Sequence, residues 1–365
     1  MLESEVTAAG GDSGGPCRWA VVDCGGYDEP MSVSIRTTVV GSYPVPDWLP
    51  ESPSSSDLRD ATMVVLKAQE LIGLDVISDG ELSRFDGNHP ETNGMIDWFI
   101  GPLEGVSTEL SASELSRFGS LSDFQFRSKP AGVVRSVLGP GSLDLSAAYA
   151  SVRDLARAPL KFTVTSPYML ARTLLDEHYG DLESLVMALA ELLGGQLEGI
   201  DAAVVQVDEA NVPGRPEDSL LAAAGINRVL AGVTGERAVH LCFGNYGGRT
   251  IQQGVYRDLL PFFNALECDH VVLEFARRGD CELEVFTDVK PEIQLGIGVI
   301  DIKDSEVESE STVAGRIERA IEVLGVERVR WVHPDCGFWM LTREVADAKM
   351  VALVAGRDLV LGIES

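Results

Sequence analysis

The chain has 365 residues, 45% of them hydrophobic, and 29 Lys or Arg against 57 Asp or Glu give a formal net charge of −28. A chain of this size can bury a large core, and such an acidic surface argues against nucleic-acid and membrane-surface partners. It has no apolar run of about 18 residues, no secretory leader and no disulfide framework among its six cysteines, so we expect a cytoplasmic protein.

The first thirty residues differ in composition from the rest of the chain. Residues 1–30 are rich in Gly, Ser, Asp and Glu and show no hydrophobic periodicity, which is typical of a flexible terminus. Met31 directly precedes the first strand-like run, and one hypothesis places the natural start of translation there. We therefore expect a flexible N-terminal extension over residues 1–30 and a single domain over residues 31–365.

Short apolar runs alternate with helical patterns between residues 37 and 355. Eight such strand–helix units predict an α/β fold of the (β/α)8 TIM barrel type. The predicted strands span residues 37–42, 75–78, 162–165, 203–207, 238–242, 271–274, 297–302 and 330–332. The predicted helices include residues 56–72, 182–197, 219–231, 254–266, 311–324 and 342–355.

One connection is too long for a single crossover. It lies between the second and third predicted strands, over roughly residues 83–158. Residues 124–137 within it alternate between apolar and polar side chains, as the strands of a hairpin do. We therefore expect an insertion between the second and third strands that lies as a lid over one end of the barrel.

Side chains that bind metals follow the later strands. His240 and Cys242 are two residues apart on one strand and so point to one face, and Glu274 and Cys336 end two further strands. Barrel enzymes build their active sites at the carboxyl ends of their strands, and one nitrogen, two sulfurs and a carboxylate suit Zn²⁺, which takes about four ligands. The pattern therefore predicts a zinc site. Other polar side chains at the same rim are Ser42, Glu81, Asp208 and Lys303.

Several short segments, in this order along the chain, resemble the C-terminal catalytic barrel of cobalamin-independent methionine synthase. They are Val40-Gly-Ser-Tyr-Pro, Asp79-Gly-Glu81, Val207-Asp208-Glu-Ala, His240-Leu-Cys242, Leu273-Glu274, Gly298-Val-Ile-Asp-Ile and His333-Pro-Asp-Cys336. The resemblance covers nearly everything from about residue 36 to 355. It implies Zn²⁺ as cofactor, a zinc-bound thiol that attacks an alkyl donor, and methyl transfer to homocysteine in methionine biosynthesis.

The resemblance also implies individual roles at the rim. Its zinc ligands match His240, Cys242, Glu274 and Cys336, and the residues that hold the amino-acid thiol match Ser42, Glu81 and Asp208. Carboxylates of Glu81 and Asp208 suit the α-ammonium group of homocysteine, and we expect Asp208 to be catalytic as well. Lys303 stands where the full-length enzymes have a proton-relaying histidine, and we expect it to take that catalytic part.

The alkyl donor and the physiological thiol stay open. The full-length enzymes have a second, N-terminal barrel that helps to bind a polyglutamyl folate, for which this chain has no room, so a folate and a methyl-corrinoid protein are both candidate donors. The loop at 243–249 is similar to that of short relatives, which include epoxyalkane:coenzyme M transferase. One alternative is therefore alkyl transfer to, or C–S lysis of, another thiol such as coenzyme M, whose sulfonate suits Lys303, Arg277 and Arg278. The other is a non-catalytic barrel stabilised by zinc.

Overall fold

The computed structural model describes residues 34–84, 94–121, 127–244 and 250–363. The segment 1–30 lies outside these residues, so the predicted division into an extension and a domain over 31–365 stays a prediction. The described strands are β1 (Arg36–Thr37), β2 (Ile77–Ser78), β3 (Glu104–Ser107), β4 (Gly132–Gly139), β5 (Leu160–Thr165), β6 (Leu174–Asp176), β7 (Val204–Glu209), β8 (Glu236–Leu241), β9 (His270–Leu273), β10 (Gln294–Ile300) and β11 (Val329–Pro334).

Eight parallel strands form one curled sheet around the main core. Their order is β1-β11-β10-β9-β8-β7-β5-β2, and each neighbouring pair is parallel. A parallel bridge between Thr38 and Val76 then joins the ends of β1 and β2, with the Val76 N–H donating to the Thr37 carbonyl at 3.2 Å. This bridge closes the sheet, and the predicted (β/α)8 barrel is confirmed.

Eleven α-helices lie between and after the strands in the described part of the chain. They are α1 (Ser55–Ile72), α2 (Asp97–Ile100), α3 (Ala112–Ser120), α4 (Leu145–Arg153), α5 (Pro167–Ala171), α6 (Leu182–Leu197), α7 (Ser219–Leu230), α8 (Leu260–Ala265), α9 (Asp280–Glu284), α10 (Glu310–Leu324) and α11 (Arg343–Leu361). The bounds of α1 have local causes: Ser54 and Asp57 form a capping box at its start, and Gly73 ends it in the left-handed conformation at φ 89°. Within the described part of the chain, no helix is both long and apolar enough to cross a membrane.

All eight predicted barrel strands overlap observed ones, and the predicted helices agree except at 254–266. That segment instead contains a 3₁₀ turn at Tyr256–Leu259 followed by the short helix α8. Pro261 lies in the first turn of α8. Proline has no N–H to donate and is favoured in the first turn of a helix, so the regular α-helix begins there and not at residue 254.

The insertion between the second and third barrel strands is confirmed, but the hairpin at 124–137 is wrong. β4 pairs antiparallel with β3 and parallel with β6, so its partners lie elsewhere in the chain. Residues 122–126 are outside the described residues. Alternation of apolar and polar side chains indicates that a strand has two different faces, but it does not indicate which strand lies next to it. Here Val133 packs with Phe118 and Leu175, whereas Val134 on the other face joins the main core. The lid role stays a prediction.

The carboxylate of Glu236 joins several strands at the opposite, amino-terminal end of the barrel. It begins β8 and accepts hydrogen bonds from Arg36 Nη1 at 3.1 Å and Trp331 Nε1 at 3.0 Å, and His270 Nδ1 lies 2.9 Å away. The Arg36 guanidinium lies 3.9 Å from the centre of the Trp331 ring, which stacks on His270. Burial alone raises the pKa of Glu236, but these partners outweigh it and leave the pKa lowered.

Glu236→Ala should lower the free energy of unfolding by about 2–4 kcal/mol, because it leaves the partners of a half-buried carboxylate without their acceptor. Urea denaturation at neutral pH measures the loss. Glu191→Ala is the matched control, because Glu191 forms an exposed ion pair with Arg228, and it should change the stability far less. Equal losses in the two variants would contradict the anchoring role of Glu236.

The contribution of Glu236 to the free energy of unfolding should depend on pH. A carboxyl group whose pKa is lowered in the folded state stabilises the protein above its unfolded pKa, about 4.3, and this contribution is lost as the pH falls through the folded value. The difference in unfolding free energy between wild type and Glu236→Ala should therefore shrink below about pH 4. A difference that stays constant from pH 7 to pH 3 would show that Glu236 acts through packing alone.

Candidate metal centre and active site

Three of the four predicted metal ligands converge at the carboxyl rim of the barrel. One donor atom each of His240, Cys242 and Cys336 lies within 4.8 Å of the others. His240 lies inside β8 and Cys242 directly follows it, whereas Cys336 stands two residues after β11. The first two are buried and Cys336 is half-buried. Among the residues that the structure describes, no other group of His, Cys, Asp and Glu side chains is as compact.

The imidazole of His240 is oriented as a ligand. Its Nδ1 lies 3.0 Å from the Val272 carbonyl oxygen, and its buried Nε2 has no hydrogen-bond partner. A carbonyl only accepts, so Nδ1 carries the proton and the lone pair of Nε2 is free in the neutral ring. Metal-binding histidines are commonly held in this way by a backbone carbonyl. One imidazole nitrogen and two cysteine sulfurs form a donor set that fits Zn²⁺.

The surroundings of Cys242 and His240 change the pKa of each. The hydrogen bond to Cys336, together with burial, raises the pKa of the Cys242 thiol well above its usual value. Burial lowers the pKa of His240, but the adjacent Cys242 and the charge of Asp208 outweigh it and leave that pKa raised. This pocket therefore disfavours the free Cys242 thiolate unless a cation is present, as expected for a metal-binding group.

Glu274, the fourth predicted ligand, is not in the compact group. Its carboxylate instead contacts two cations: Arg278 Nη2 lies 3.2 Å from Oε1, and Lys303 Nζ lies 3.3 Å from Oε2. Arg278 also contacts Glu282 at 3.3 Å, and its guanidinium lies 3.5 Å from the centre of the Phe243 ring. The carboxylate of Glu274 thus lies in an ion-pair cluster beside the metal group.

The backbone of Glu274 is held on both sides. The Tyr256 hydroxyl accepts a hydrogen bond from the Glu274 N–H at 3.0 Å and donates to its carbonyl at 3.1 Å. The Asp335 carboxylate accepts from the N–H groups of Phe275 and Ala276 at 2.8 and 2.9 Å. Burial raises the pKa of Asp335 to about 8. Sequence reasoning missed Tyr256, because nothing in the local pattern indicates that its hydroxyl reaches a strand end.

Glu81 and Asp208, the predicted partners of an ammonium group, lie in the same neighbourhood. Asp208 pairs in register with His240 across β7 and β8. Burial raises its pKa to about 7, and the charge of Glu81 acts in the same direction. Glu81 is held at φ 59° and accepts a hydrogen bond from Thr163 Oγ1 at 2.5 Å. A left-handed conformation at a residue other than glycine costs stability and occurs most often at functional sites.

Ser42 lies against the loop that carries Cys336. The Phe338 N–H donates to the Ser42 carbonyl at 2.9 Å, and a Cβ added to Gly337 would lie 2.0 Å from Ser42 Oγ. Only glycine permits such a close approach of the two loops. The structure therefore places the predicted Ser42 beside the residue that follows Cys336.

The cations considered for a sulfonate are all paired with carboxylates. Arg277 contacts Asp301, and Arg278 and Lys303 contact Glu274 as described above. An anionic substrate group would have to compete with these carboxylates. Each of these three cations at the rim therefore already has a carboxylate partner.

Comparison with known proteins gives a consistent result. The family described as "Cobalamin-independent synthase, Catalytic domain" matches residues 35–356. Methionine synthase from Saccharolobus islandicus is 29% identical over 341 residues, which are 89% of this chain and 95% of that protein. Methionine synthase from Thermococcus kodakarensis is 28% identical over 343 residues, 89% of this chain and 93% of that protein.

Solved structures show the same fold. The structure of a B12-independent methionine synthase from Shewanella sp. W3-18-1, in complex with selenomethionine, has a TM-score of 0.73 at 22% identity and covers 90% of this chain and 98% of that one. A putative vitamin-B12-independent methionine synthase from Listeria monocytogenes has a TM-score of 0.64 at 18% identity and covers 88% and 96%.

Tyr256→Phe should lower the free energy of unfolding by about 1–3 kcal/mol, because the buried N–H and carbonyl of Glu274 lose their partner while the aromatic packing is kept. Urea denaturation measures the loss. Tyr179→Phe is the control: the Tyr179 hydroxyl accepts from the Leu138 N–H at 3.0 Å at a half-buried position, where water can replace it. If Tyr256→Phe were no more destabilising than this control, the hydroxyl would not anchor Glu274.

Proposed function

The chain belongs to the family of the cobalamin-independent synthase catalytic domain, and from that premise we propose that it is a zinc-dependent enzyme that transfers a methyl group to homocysteine and so forms methionine. The observation that carries the proposal is the convergence of His240, Cys242 and Cys336 beside Asp208 at the carboxyl rim. The names of the relatives support homocysteine as the acceptor. We also propose a single catalytic domain over residues 31–365 and a cytoplasmic location, where thiols stay reduced.

Zn²⁺ would be held by His240, Cys242 and Cys336. Glu274 is the proposed fourth ligand, and its side chain would have to leave Arg278 and Lys303 to reach the ion. When bound, Zn²⁺ lowers the pKa of a neighbouring thiol, so that sulfur reacts as a thiolate near neutral pH. The fixed backbone of Glu274 limits any such movement to the side chain itself, which keeps the rest of the rim in place.

Glu81 and Asp208 would bind the α-ammonium group of homocysteine. Both are acceptors held by neighbours, and the charge of Glu81 adds to the effect of burial in raising the pKa of Asp208. An ammonium group between them reverses that effect, because opposite charges favour the ionised form of both carboxylates. The Ser42 hydroxyl, which lies beside Gly337, is the proposed third contact to the amino-acid part of the substrate.

The catalytic roles are proposed for Asp208 and Lys303. Lys303 lies at the rim with little exposure, and its ammonium group has a carboxylate partner in Glu274. We propose that it delivers a proton to the leaving group of the methyl donor, in place of the histidine of the full-length enzymes. Asp208 would keep the substrate ammonium beside His240 and so direct the substrate sulfur towards the metal group.

A second candidate is alkyl transfer to, or C–S lysis of, another thiol such as coenzyme M. The structure gives it less support, because the cations suited to a sulfonate, Arg277, Arg278 and Lys303, are paired with carboxylates. A third candidate, a non-catalytic barrel stabilised by zinc, does not explain why the carboxylates of Glu81 and Asp208 lie together at the rim.

For the methyl donor, methyl-folate and a methylated corrinoid protein are the two proposed classes, and an assay with each donor in turn separates them.

The purified protein should contain about one zinc per chain, and Cys336→Ala should weaken zinc binding by more than about 100-fold, because it removes a charged sulfur ligand. Competition with a chromophoric chelator measures the affinity. Cys281→Ala and Cys268→Ala are the controls, since Cys281 is exposed and Cys268 is buried before β9. Zinc binding that survives Cys336→Ala would exclude the proposed ligand set.

Asp208→Asn should raise KM for homocysteine by about 10- to 100-fold, because it removes a charged acceptor from the ammonium group. Initial rates with homocysteine and with 4-mercaptobutanoate, which lacks the amino group, measure the effect. The second thiol should respond little. Asp154→Asn alters an exposed carboxylate and is the control. An equal effect on both thiols would mean that Asp208 does not recognise the ammonium group.

A further inference from the structure

A lysine is buried inside the barrel, close to the proposed active site. Lys161 on β5 is 1% exposed, and its ammonium group donates to the Val39 carbonyl and to Gln206 Oε1, each at 2.8 Å. Burial lowers its pKa to about 7, while the charges of Asp208 and Glu236 oppose that shift. An ammonium group in such a place reduces folding stability unless its interactions compensate.

The lysine determines which way the Gln206 amide faces. An ammonium group has donors and no acceptor, so the amide oxygen must be the atom that meets Lys161. The amide nitrogen is thereby turned to the other side, where it donates to the Val40 carbonyl at 2.9 Å and to Asp208 Oδ1 at 2.7 Å. With the amide reversed, Asp208 would face a carbonyl oxygen and lose this donor.

The same strand also holds the second proposed ammonium partner. Lys161 and Thr163 are two residues apart on β5 and therefore point to the same, interior side. Thr163 Oγ1 donates to Glu81 Oε1 at 2.5 Å. One strand thus orients both carboxylates, Glu81 directly and Asp208 through Gln206.

We propose that Lys161 is a positioning residue for substrate recognition: through Gln206 it holds the Asp208 carboxylate in the orientation that receives the ammonium group of the amino-acid thiol. The inference rests on the proposed function, because it takes Asp208 as the ammonium partner. Lys161 does not touch the substrate. It acts on recognition of the amino group and leaves the metal group unchanged.

Lys161→Met tests the role with a side chain of similar length. Calorimetry on the zinc-loaded protein should show homocysteine binding weakened by about 10-fold, the cost of one charge-assisted hydrogen bond, with 4-mercaptobutanoate binding unchanged within about 2-fold. Lys349→Met is the matched control. Lys349 is equally buried, on α11, and pairs with Glu308 at 2.8 Å. This control should bind both thiols as the wild type does, and all variants should hold the same amount of zinc.

A double-mutant cycle tests the route of the effect. If Lys161 acts through Asp208, Lys161→Met should add little to the loss already caused by Asp208→Asn, because both changes remove one interaction. Should Lys161→Met fail to fold, Gln206→Leu breaks the same link and carries the same expectations. Equal weakening of both thiols, or additive losses in the double variant, would overturn the role of Lys161.

The outcome for the wild type separates this inference from the proposed function. Wild-type protein that binds no homocysteine would overturn the proposed function and this role of Lys161 with it. Wild-type protein that binds homocysteine, together with a Lys161→Met variant of unchanged affinity and selectivity, would overturn the role of Lys161 alone.

Discussion

The parallel register between β7 and β8 is the constraint on which the rest of the site depends. It sets Asp208 beside His240, and the next pairing in the sheet sets the His240 ring against the Val272 carbonyl of β9. These contacts follow from backbone hydrogen bonds within a closed sheet, so they do not depend on flexible loops. The barrel itself therefore holds the proposed metal ligand His240 and the proposed substrate-binding carboxylate of Asp208 at a fixed separation. Such preorganisation favours catalysis.

Buried carboxylates dominate the electrostatics of the rim, and each has its own means of compensation. Glu274 pairs with two cations, and Asp335 accepts two backbone N–H groups. Glu81 receives the Thr163 hydroxyl. Asp208 receives one amide donor, and burial still raises its pKa. An added positive group, whether it belongs to a substrate or to a metal, would therefore stabilise the ionised form of Asp208.

The position of Glu274 connects the metal and substrate proposals. Its backbone is anchored by Tyr256 and Asp335, and its carboxylate is shared with Arg278 and Lys303. A cation at the histidine–cysteine group would compete with those two side chains for the same carboxylate. If Glu274 were the fourth ligand, as proposed, Lys303 would lose this partner, which would link its proposed proton-donating role to the binding of the ion.

The sequence by itself determined the barrel, its strand order along the chain and the rim on which His240, Cys242 and Cys336 meet. Hydrophobic periodicity is local, and a parallel barrel brings every strand's carboxyl end to one edge, so position along a strand is enough to predict convergence. Only the tertiary structure decided that Glu274 lies in an ion-pair cluster, that β4 pairs with β3 and β6, and that Lys161 orients Gln206 across 45 residues of chain. Those contacts depend on which side chains of distant segments reach each other in three dimensions, and periodicity within one segment carries no information about its partner.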